Sequence, residues 1–444
     1  MSSFIDRLRG VVRPAVPPRR FEGDDEAGPP FGGDAPETAV AGADTRADAA
    51  DVLDGEWQER HGHRFVVVER TYSPGYRHGR LAVADTLPPH DGIWPRLPLL
   101  AGTACAGRML FVDLETTGLA GGAGSYAFLV GCAWFDGGVF RVRQYFLASF
   151  ASERAVLEAV ADVAAAAGTL VTYNGKTFDM PLMETRFVMN RMETPFARLP
   201  HVDMLHPARR LWRPTAADPH AEGTVGDGGC RLTALEHLLF GHRREGDVPG
   251  FEIPSRYFHY VRSGDARPLS VVMEHNRLDL LALALVTGHA AQLLDDGPAA
   301  ARSAREALGL GRMYERAGLD RDACGAFARA AEMRADPLTR AEALRACAVL
   351  SRRQRRHDDA AAAWRRILEL RGAPAAAVRE ATEALAVHHE HRLRDPRSAR
   401  TFALHSMQLP QTLARRAAVE HRLARLERKI GSDAPPAPGL FGAL

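Results

Sequence analysis

The spacing of apolar and polar positions divides the chain into stretches of different character. Between residues 1 and 60 large apolar residues are sparse, and Gly, Pro, Ala and Asp predominate. Such a composition buries too little surface to offset chain entropy, and it predicts a disordered tail. Its patterned part is Phe4, Ile5, Leu8, Val11 and Val12, which would share one face of a short helix with arginines opposite. A docking segment and a frayed terminus both fit. Residues 61–107 read as a lead-in, with a strand and turn in "HRFVVVERTYSPGYRHG" (His63 to Gly79).

From about Arg108 the pattern changes. "RMLFVDLE", "AFLVGCAWF" and "FRVRQYFL" are short apolar runs joined by Gly-rich turns, as in an antiparallel meander. "SERAVLEAVADVAAAA" has helical spacing behind Ser152 as N-cap. A buried strand, "TLVTYNG", and a helix, "DMPLMETRFVMNR", follow; "RLTALEHLLFG" and "SVVMEHNRLDLLALALVTGHAAQLL" are later helices. Three paired strands, a helix, a fourth strand and more helices predict an α/β ribonuclease H-like domain over residues 108–297, a mixed sheet flanked by helices.

Beyond Ala301 the pattern is helical and it repeats. Gly311, Tyr314, Ala323, Phe327 and Ala330 stand at the offsets of a tetratricopeptide repeat. Ala360 and Trp364 follow 37 residues after Ala323 and Phe327, and Ala399 marks a fainter third copy. An all-α helical-repeat domain is expected over 301–430, and residues 431–444 read as a second disordered tail.

Composition adds limits. Hydrophobic content of 46% and charged content of 25% are ordinary for a soluble protein. The cysteines (Cys105, Cys132, Cys230, Cys324, Cys347) are scattered without a C-x-x-C pair, which argues against zinc or a disulfide framework and fits a reducing compartment. No apolar run has membrane-spanning length and the first residues lack a signal peptide's apolar stretch, so a cytoplasmic protein with no membrane partner is expected. Charge is uneven: residues 21–60 hold 12 acidic residues against two arginines, and residues 302–429 hold 27 basic against 16 acidic. Coding bias is the simpler explanation of the excess of Arg; a basic part suited to a polyanion is the alternative.

The candidate chemistry begins in "FVDLETTGL". On a strand, residues i and i+2 face the same way, which sets Asp113 and Glu115 side by side at the end of a buried run. Two like charges so placed are costly unless a cation lies between them. "YNGKTFDMP" then brings Asp179 to the start of a helix, where a structural N-cap is the alternative. In "EHNRLDLLAL", Asp279 stands in an apolar helix with His275 four residues earlier on the same face; a buried His–Asp pair is the alternative there.

Four carboxylates in this order, with the extended "DLETTG" and the N-G-x-x-F-D-x-P context, resemble the DEDD exonuclease superfamily over residues 100–295. The whole layout is similar to the YprB-like family, a ribonuclease H-like domain followed by tetratricopeptide repeats. The resemblance implies that Asp113, Glu115, Asp179 and Asp279 hold two Mg²⁺ or Mn²⁺ ions, and that His275 orients or deprotonates the attacking water. It implies stepwise hydrolysis of single-stranded DNA or RNA from a 3′ end, with Thr116, Thr117, Gly118, Asn174, Lys176 and Asn276 as substrate contacts. One departure stands out. The superfamily's main subclasses carry Tyr four residues before the last Asp or His five before it, and this chain has His at the Tyr spacing.

Other signals are weaker. "GLAGGAGSY" (Gly118 to Tyr126) joins two strands and lacks a Gly-Lys-Ser/Thr ending, so it reads as a hairpin loop, with backbone contacts to a substrate's 3′ end as the alternative. "HVDMLHPARRLW" holds His201, Asp203 and His206, but reads as a buried strand and a basic helix. Arg209, Arg210 and Arg213 with Trp212 form a basic-aromatic group, and Tyr257, Phe258 and Tyr260 either stack on bases or pack. The repeats are expected to bind a protein partner. The rival reading is an adaptor: a nuclease fold that binds nucleic acid without useful catalysis while its repeats recruit proteins.

Overall fold

The computed structural model describes residues 48–89, 93–118, 124–213, 230–410 and 412–432. The N-terminal apolar face, most of the acidic tail, the centre of the glycine-rich loop and the end of the C-terminal tail lie outside these residues.

Seven strands form one sheet in the order β1-β2-β7-β6-β5-β8-β9. They are β1 (Glu56–Arg60), β2 (His63–Tyr72), β5 (Met109–Thr116), β6 (Ala127–Asp136), β7 (Val139–Phe146), β8 (Thr169–Thr172) and β9 (His201–Asp203). A separate two-stranded ribbon pairs β3 (Arg77–His78) with β4 (Leu81–Ala82). Strands β5, β6 and β7 are the expected antiparallel meander, and β8 and β9 join β5 in parallel.

The tail expected to run to residue 60 ends earlier. Helix α1 (Ala49–Leu53) is capped by Asp48, and β1 pairs with β2 along its whole length. The lead-in is likewise part of the sheet, because β2 pairs with β7 from Val66 to Tyr72. The run "RFVVV" buries Phe65 to Val68, and β1 covers what would be an exposed strand edge.

Helices cover both faces. They are α2 (Pro98–Ala101), α3 (Glu153–Ala165), α4 (Asp179–Met189), α5 (Leu205–Trp212), α6 (Leu232–Leu235), α7 (Ile253–Ser263) and α8 (Ser270–Asp296). Strand β5 sorts its residues by parity. Leu110, Val112 and Leu114 enter a core with α3 and α4, whereas Met109 and Phe111 enter one with the apolar side of α8. Asp113 and Glu115 extend the second set, so the long helix α8 overlies the face that carries them. Helix α8 is long and apolar enough to cross a membrane by length and composition, which corrects the expectation from sequence; 78% of its apolar window is buried inside the fold.

After the short turn Pro298–Ala300 come α9 (Ala304–Arg316), α10 (Asp320–Glu332), α11 (Pro337–Arg353), α12 (His357–Glu369), α13 (Ala375–His391), α14 (Pro396–Met407) and α15 (Leu413–Ser432). Tyr314, Ala323, Phe327 and Ala330 are fully buried, and the missing side chain at Gly311 leaves room for the Phe327 ring. One apolar core continues from Phe111 through α8 to Leu385, so the first helical hairpins are an extension of the sheet domain. The joint is close: a Cβ at Gly309 on α9 would run into the Arg210 carbonyl on α5, and Trp212 Nε1 donates to Glu306 Oε1 across 2.7 Å.

Candidate active site

Asp113 stands at one end of a cross-strand row. It lies opposite Gly131 on β6, and Gly131 lies opposite Gln144 on β7. Because Gly131 has no side chain, Asn276 of α8 settles over it; a Cβ there would collide with Asn276 Oδ1. The Asn276 amide donates to Asp113 Oδ2 at 2.8 Å, and its Oδ1 accepts from Gln144 Nε2 at 2.8 Å. Gln144 also donates to the Met273 carbonyl at 2.8 Å. Asn276, at 0% exposure, is therefore a support beneath Asp113 and not the substrate contact that the resemblance implied.

Glu115, two residues on, is 9% exposed, and the β5–β6 register shifts between Glu115 and Thr116. Such a bulge re-aims the rim of a strand. Thr116 Oγ1 donates to the Gly118 carbonyl at 3.0 Å, and Thr117 Oγ1 accepts from the Tyr126 N–H at 2.9 Å. The hydroxyls of Thr116 and Thr117, expected as substrate contacts, thus shape the turn.

Asp179 is the first residue of α4, with Phe178 in the N-cap position, so its carboxylate does not serve as a cap. The turn before it is pinned by Asp203, which accepts N–H groups from Asn174 at 2.7 Å and Lys176 at 3.1 Å. Asn174 takes a left-handed φ of 66°, and Gly175 fits against Thr172 where a Cβ would clash. Asp203 itself ends β9 just ahead of α5, as read from "HVDMLHPARRLW".

Asp279 has a partner that sequence reasoning missed. Arg244 Nη2 lies 2.5 Å from Asp279 Oδ1, and Arg244 Nε donates to Glu236 Oε2 at 2.8 Å. Glu236 Oε1 in turn meets His78 Nε2 at 2.8 Å. On the other side, His275 Nε2 stands 3.6 Å from Asp279 Oδ2, as the four-residue spacing requires, while His275 Nδ1 lies 2.6 Å from Asp247 Oδ1. A carboxylate accepts, so Nδ1 carries the hydrogen at this contact, and in the neutral ring the lone pair is then on Nε2. Arg244 and Asp247 sit in a loop some thirty residues before Asp279, and no local pattern marks them.

The four carboxylates feel one another strongly. Burial, then the charges of Asp279, Glu115 and Asp179, push Asp113 well above the carboxylate range, with Asn276 opposing. Burial followed by Asp279, Asp179 and Asp247 does the same to Glu115. Asp179 is pushed up to about 7 by burial, Asp203 and Asp279. Asp279 is raised by burial against the pull of Arg244 and His275. A set of hard oxygen donors that resist ionisation together is a set that a divalent cation would relieve.

Among the described residues, the group whose metal-ligating atoms all lie within 4.8 Å of one another is a different one, His78, Glu236 and His242. Its geometry suits packing better than coordination. The His78 and His242 rings stack at 3.9 Å with 35° between planes, so their in-plane lone pairs do not converge, and Glu236 is shared with Arg244. Tyr257, the central member of the aromatic group, is fully buried and donates to the Leu147 carbonyl at 3.0 Å, which makes it a packing residue.

Residues 110–291, which include all four carboxylates, match the family model described as RNase_H superfamily. The protein YprB of Bacillus subtilis (strain 168), described as uncharacterized, is 33% identical over 228 residues, covering 49% of this chain and 51% of that protein. Over these residues the chain is similar to YprB and to the ribonuclease H superfamily. It spans about half the length of that YprB-like relative. The family B DNA polymerase of the hyperthermophilic archaeon Pyrobaculum calidifontis is similar at 15% identity and a TM-score of 0.31, over 57% of this chain and 30% of the polymerase.

Proposed function

We propose that this YprB-like chain is a metal-dependent 3′–5′ exonuclease acting on single-stranded nucleic acid. The observation that carries the reading is the convergence of Asp113, Glu115, Asp179 and Asp279, from three separate segments, on one partly buried place, where the charge of Asp279 opposes ionisation of the other three. These residues would hold two Mg²⁺ or Mn²⁺ ions, since an all-oxygen set suits hard cations. When bound, the ions would supply Lewis-acid stabilisation to the attacking and leaving oxygens of a phosphodiester.

The chain's own groups would do the rest. Asn276 and Gln144 hold Asp113 in place, and Arg244 fixes Asp279 by one oxygen so that the other faces His275. His275, oriented by Asp247, would take the proton of the attacking water. Water would add to phosphorus, the bond to the bridging 3′ oxygen would break, and a nucleoside 5′-monophosphate would leave. The tetratricopeptide-like hairpins would recruit a protein partner.

The adaptor reading has one observation in its favour, the Arg244 guanidinium on Asp279, which already neutralises part of the site. Product analysis separates the two readings. Incubation of single-stranded DNA and RNA with Mn²⁺ should yield nucleoside 5′-monophosphates, and Asp113→Ala should yield none. Intact strands that nevertheless bind the protein would favour the adaptor, and internal fragments without mononucleotides would replace exonuclease with endonuclease.

A further inference from the structure

Between α2, the start of α4 and the first repeat helix lies a cleft of about 500 Å³. It is lined by Lys176, Asp203, His206 and Arg210 from the sheet domain and by Met313 and Arg316 from α9. Two features set it apart from an ordinary solvated surface. First, none of the three cations that line it, Lys176, Arg210 and Arg316, has an ion pair or a side-chain hydrogen bond among the described residues. The single carboxylate present, Asp203, is spent on the backbone N–H groups of Asn174, Lys176 and Leu205.

Second, the cations are held together by the architecture. Gly309 lets α9 approach the Arg210 backbone, and Arg316 follows Gly309 by seven residues, two helical turns on the same face. Arg210 is depressed below the usual guanidinium range by burial and then by the charge of Arg316. Packing that forces like charges together without a counter-charge leaves a place for an anion.

The cleft adjoins the candidate active site. Lys176 precedes Asp179 by three residues, and Asp203 is the strongest charge acting on Asp179. We propose that this cleft carries the phosphodiester backbone of the strand that leads into the four-carboxylate site, with Lys176, Arg210 and Arg316 on its phosphates, so that the first repeat helix is part of the substrate path. The proposal rests on the nuclease reading for its choice of polyanion. It gives the fused core of sheet domain and repeats a function: a hinged repeat module would not keep Arg316 beside Arg210.

The test is binding, measured apart from cleavage. In the Asp113→Ala background with Mg²⁺, a labelled single strand longer than about 16 nucleotides is titrated with the parent, Arg210→Glu, Arg316→Glu and, as a control of equal charge, Arg415→Glu on α15. Thermal melting confirms that each variant folds; Arg316 is exposed, so its variant keeps the test available if Arg210→Glu does not fold. Arg210→Glu and Arg316→Glu should each weaken binding about tenfold or more, and the slope of log K against log salt should shrink by about 0.7 for each phosphate no longer neutralised. Equal weakening by Arg415→Glu, or unchanged binding in the cleft variants, overturns the proposal. So does loss of polyglutamate binding with oligonucleotide binding retained, which would make the occupant an acidic protein. Failure of the parent, with Asp113 restored, to cleave strands that it binds through these arginines would count against the nuclease reading alone.

Discussion

Asn276 Nδ2 donates to Asp113 Oδ2 across 2.8 Å, from a side chain with no exposed surface. The same amide is braced by Gln144, and the space for it exists because residue 131 is glycine. Outer partners that orient a ligating carboxylate typically account for about 10–100-fold in activity or metal affinity. Asn276→Ala should therefore lower kcat and Mn²⁺ affinity by that order, and Gly131→Ala, which drives a methyl group into the amide, should do the same. Steady-state kinetics and metal titration check both; wild-type values in either variant would show that Asp113 needs no support.

The buried guanidinium of Arg244 is the counter-charge of buried Glu236 and half-buried Asp279, with Asp247 3.6 Å away. Removing one partner of such a set leaves charges uncompensated, at a cost of about 3–5 kcal/mol. Arg244→Met should lower the stability of the metal-free protein to that extent in urea denaturation, and Mn²⁺ should restore part of it through Asp279. A stability change under about 0.5 kcal/mol would contradict the assignment.

The raised acids set the direction of a pH effect. Asp113, Glu115, Asp179 and Asp279 hold protons in the folded state at pH values where the unfolded chain has lost them. Their contribution is fully present below the unfolded pKa of about 4 and is lost as pH rises through the folded values, about 7 for Asp179. Metal-free protein should lose stability between about pH 5 and pH 8. The thermal shift on adding Mn²⁺ should grow over the same range, because the ion competes with protons for the carboxylates. A shift independent of pH would place the ion elsewhere.

His275 and Asp247 are expected to act as a unit. Asp247→Ala removes the acceptor that fixes the ring and should lower kcat with little change in KM. His275→Ala should lower kcat at least as much, and the double variant no further, since coupled groups are non-additive. Losses that multiply in the double variant would mean that Asp247 acts independently of His275.

The join between sheet domain and repeats is testable through Gly309. Gly309→Ala places a methyl group against the Arg210 carbonyl. Overpacking of this kind costs about 1–3 kcal/mol, and chemical denaturation should show a single transition shifted by that amount, since one core runs through both parts. Separate transitions for the two parts, with only the helical one displaced, would contradict a shared core.

The carboxylates were legible in the sequence because each follows a local rule. Alternation pairs Asp113 with Glu115, a strand-turn-helix step exposes Asp179, and a four-residue spacing sets His275 over Asp279. What was illegible is held by tertiary contacts. Arg244 and Asp247 reach the site from a loop without periodicity, and Gln144 looks like any polar residue in an alternating strand. Asn276, a substrate contact by resemblance, lies one residue further round the helix than His275 and faces the sheet. The lone glycine in "AFLVGCAWF" was the signal that could have found it, since an isolated Gly in a strand marks a close approach. The disordered reading ran past Asp48 because a five-residue helix and a short edge strand carry too few apolar residues to register.

The central claim is that the four carboxylates cut nucleic acid from its 3′ end with the help of metal. It is tested most directly by a time course on 5′-labelled single-stranded DNA and RNA with Mg²⁺ or Mn²⁺, run beside Asp113→Ala and an EDTA control. A ladder that shortens from the 3′ end, needs added metal and is absent in the variant is the result expected. Strands that stay intact with both metals, or a ladder that Asp113→Ala produces equally well, would contradict it.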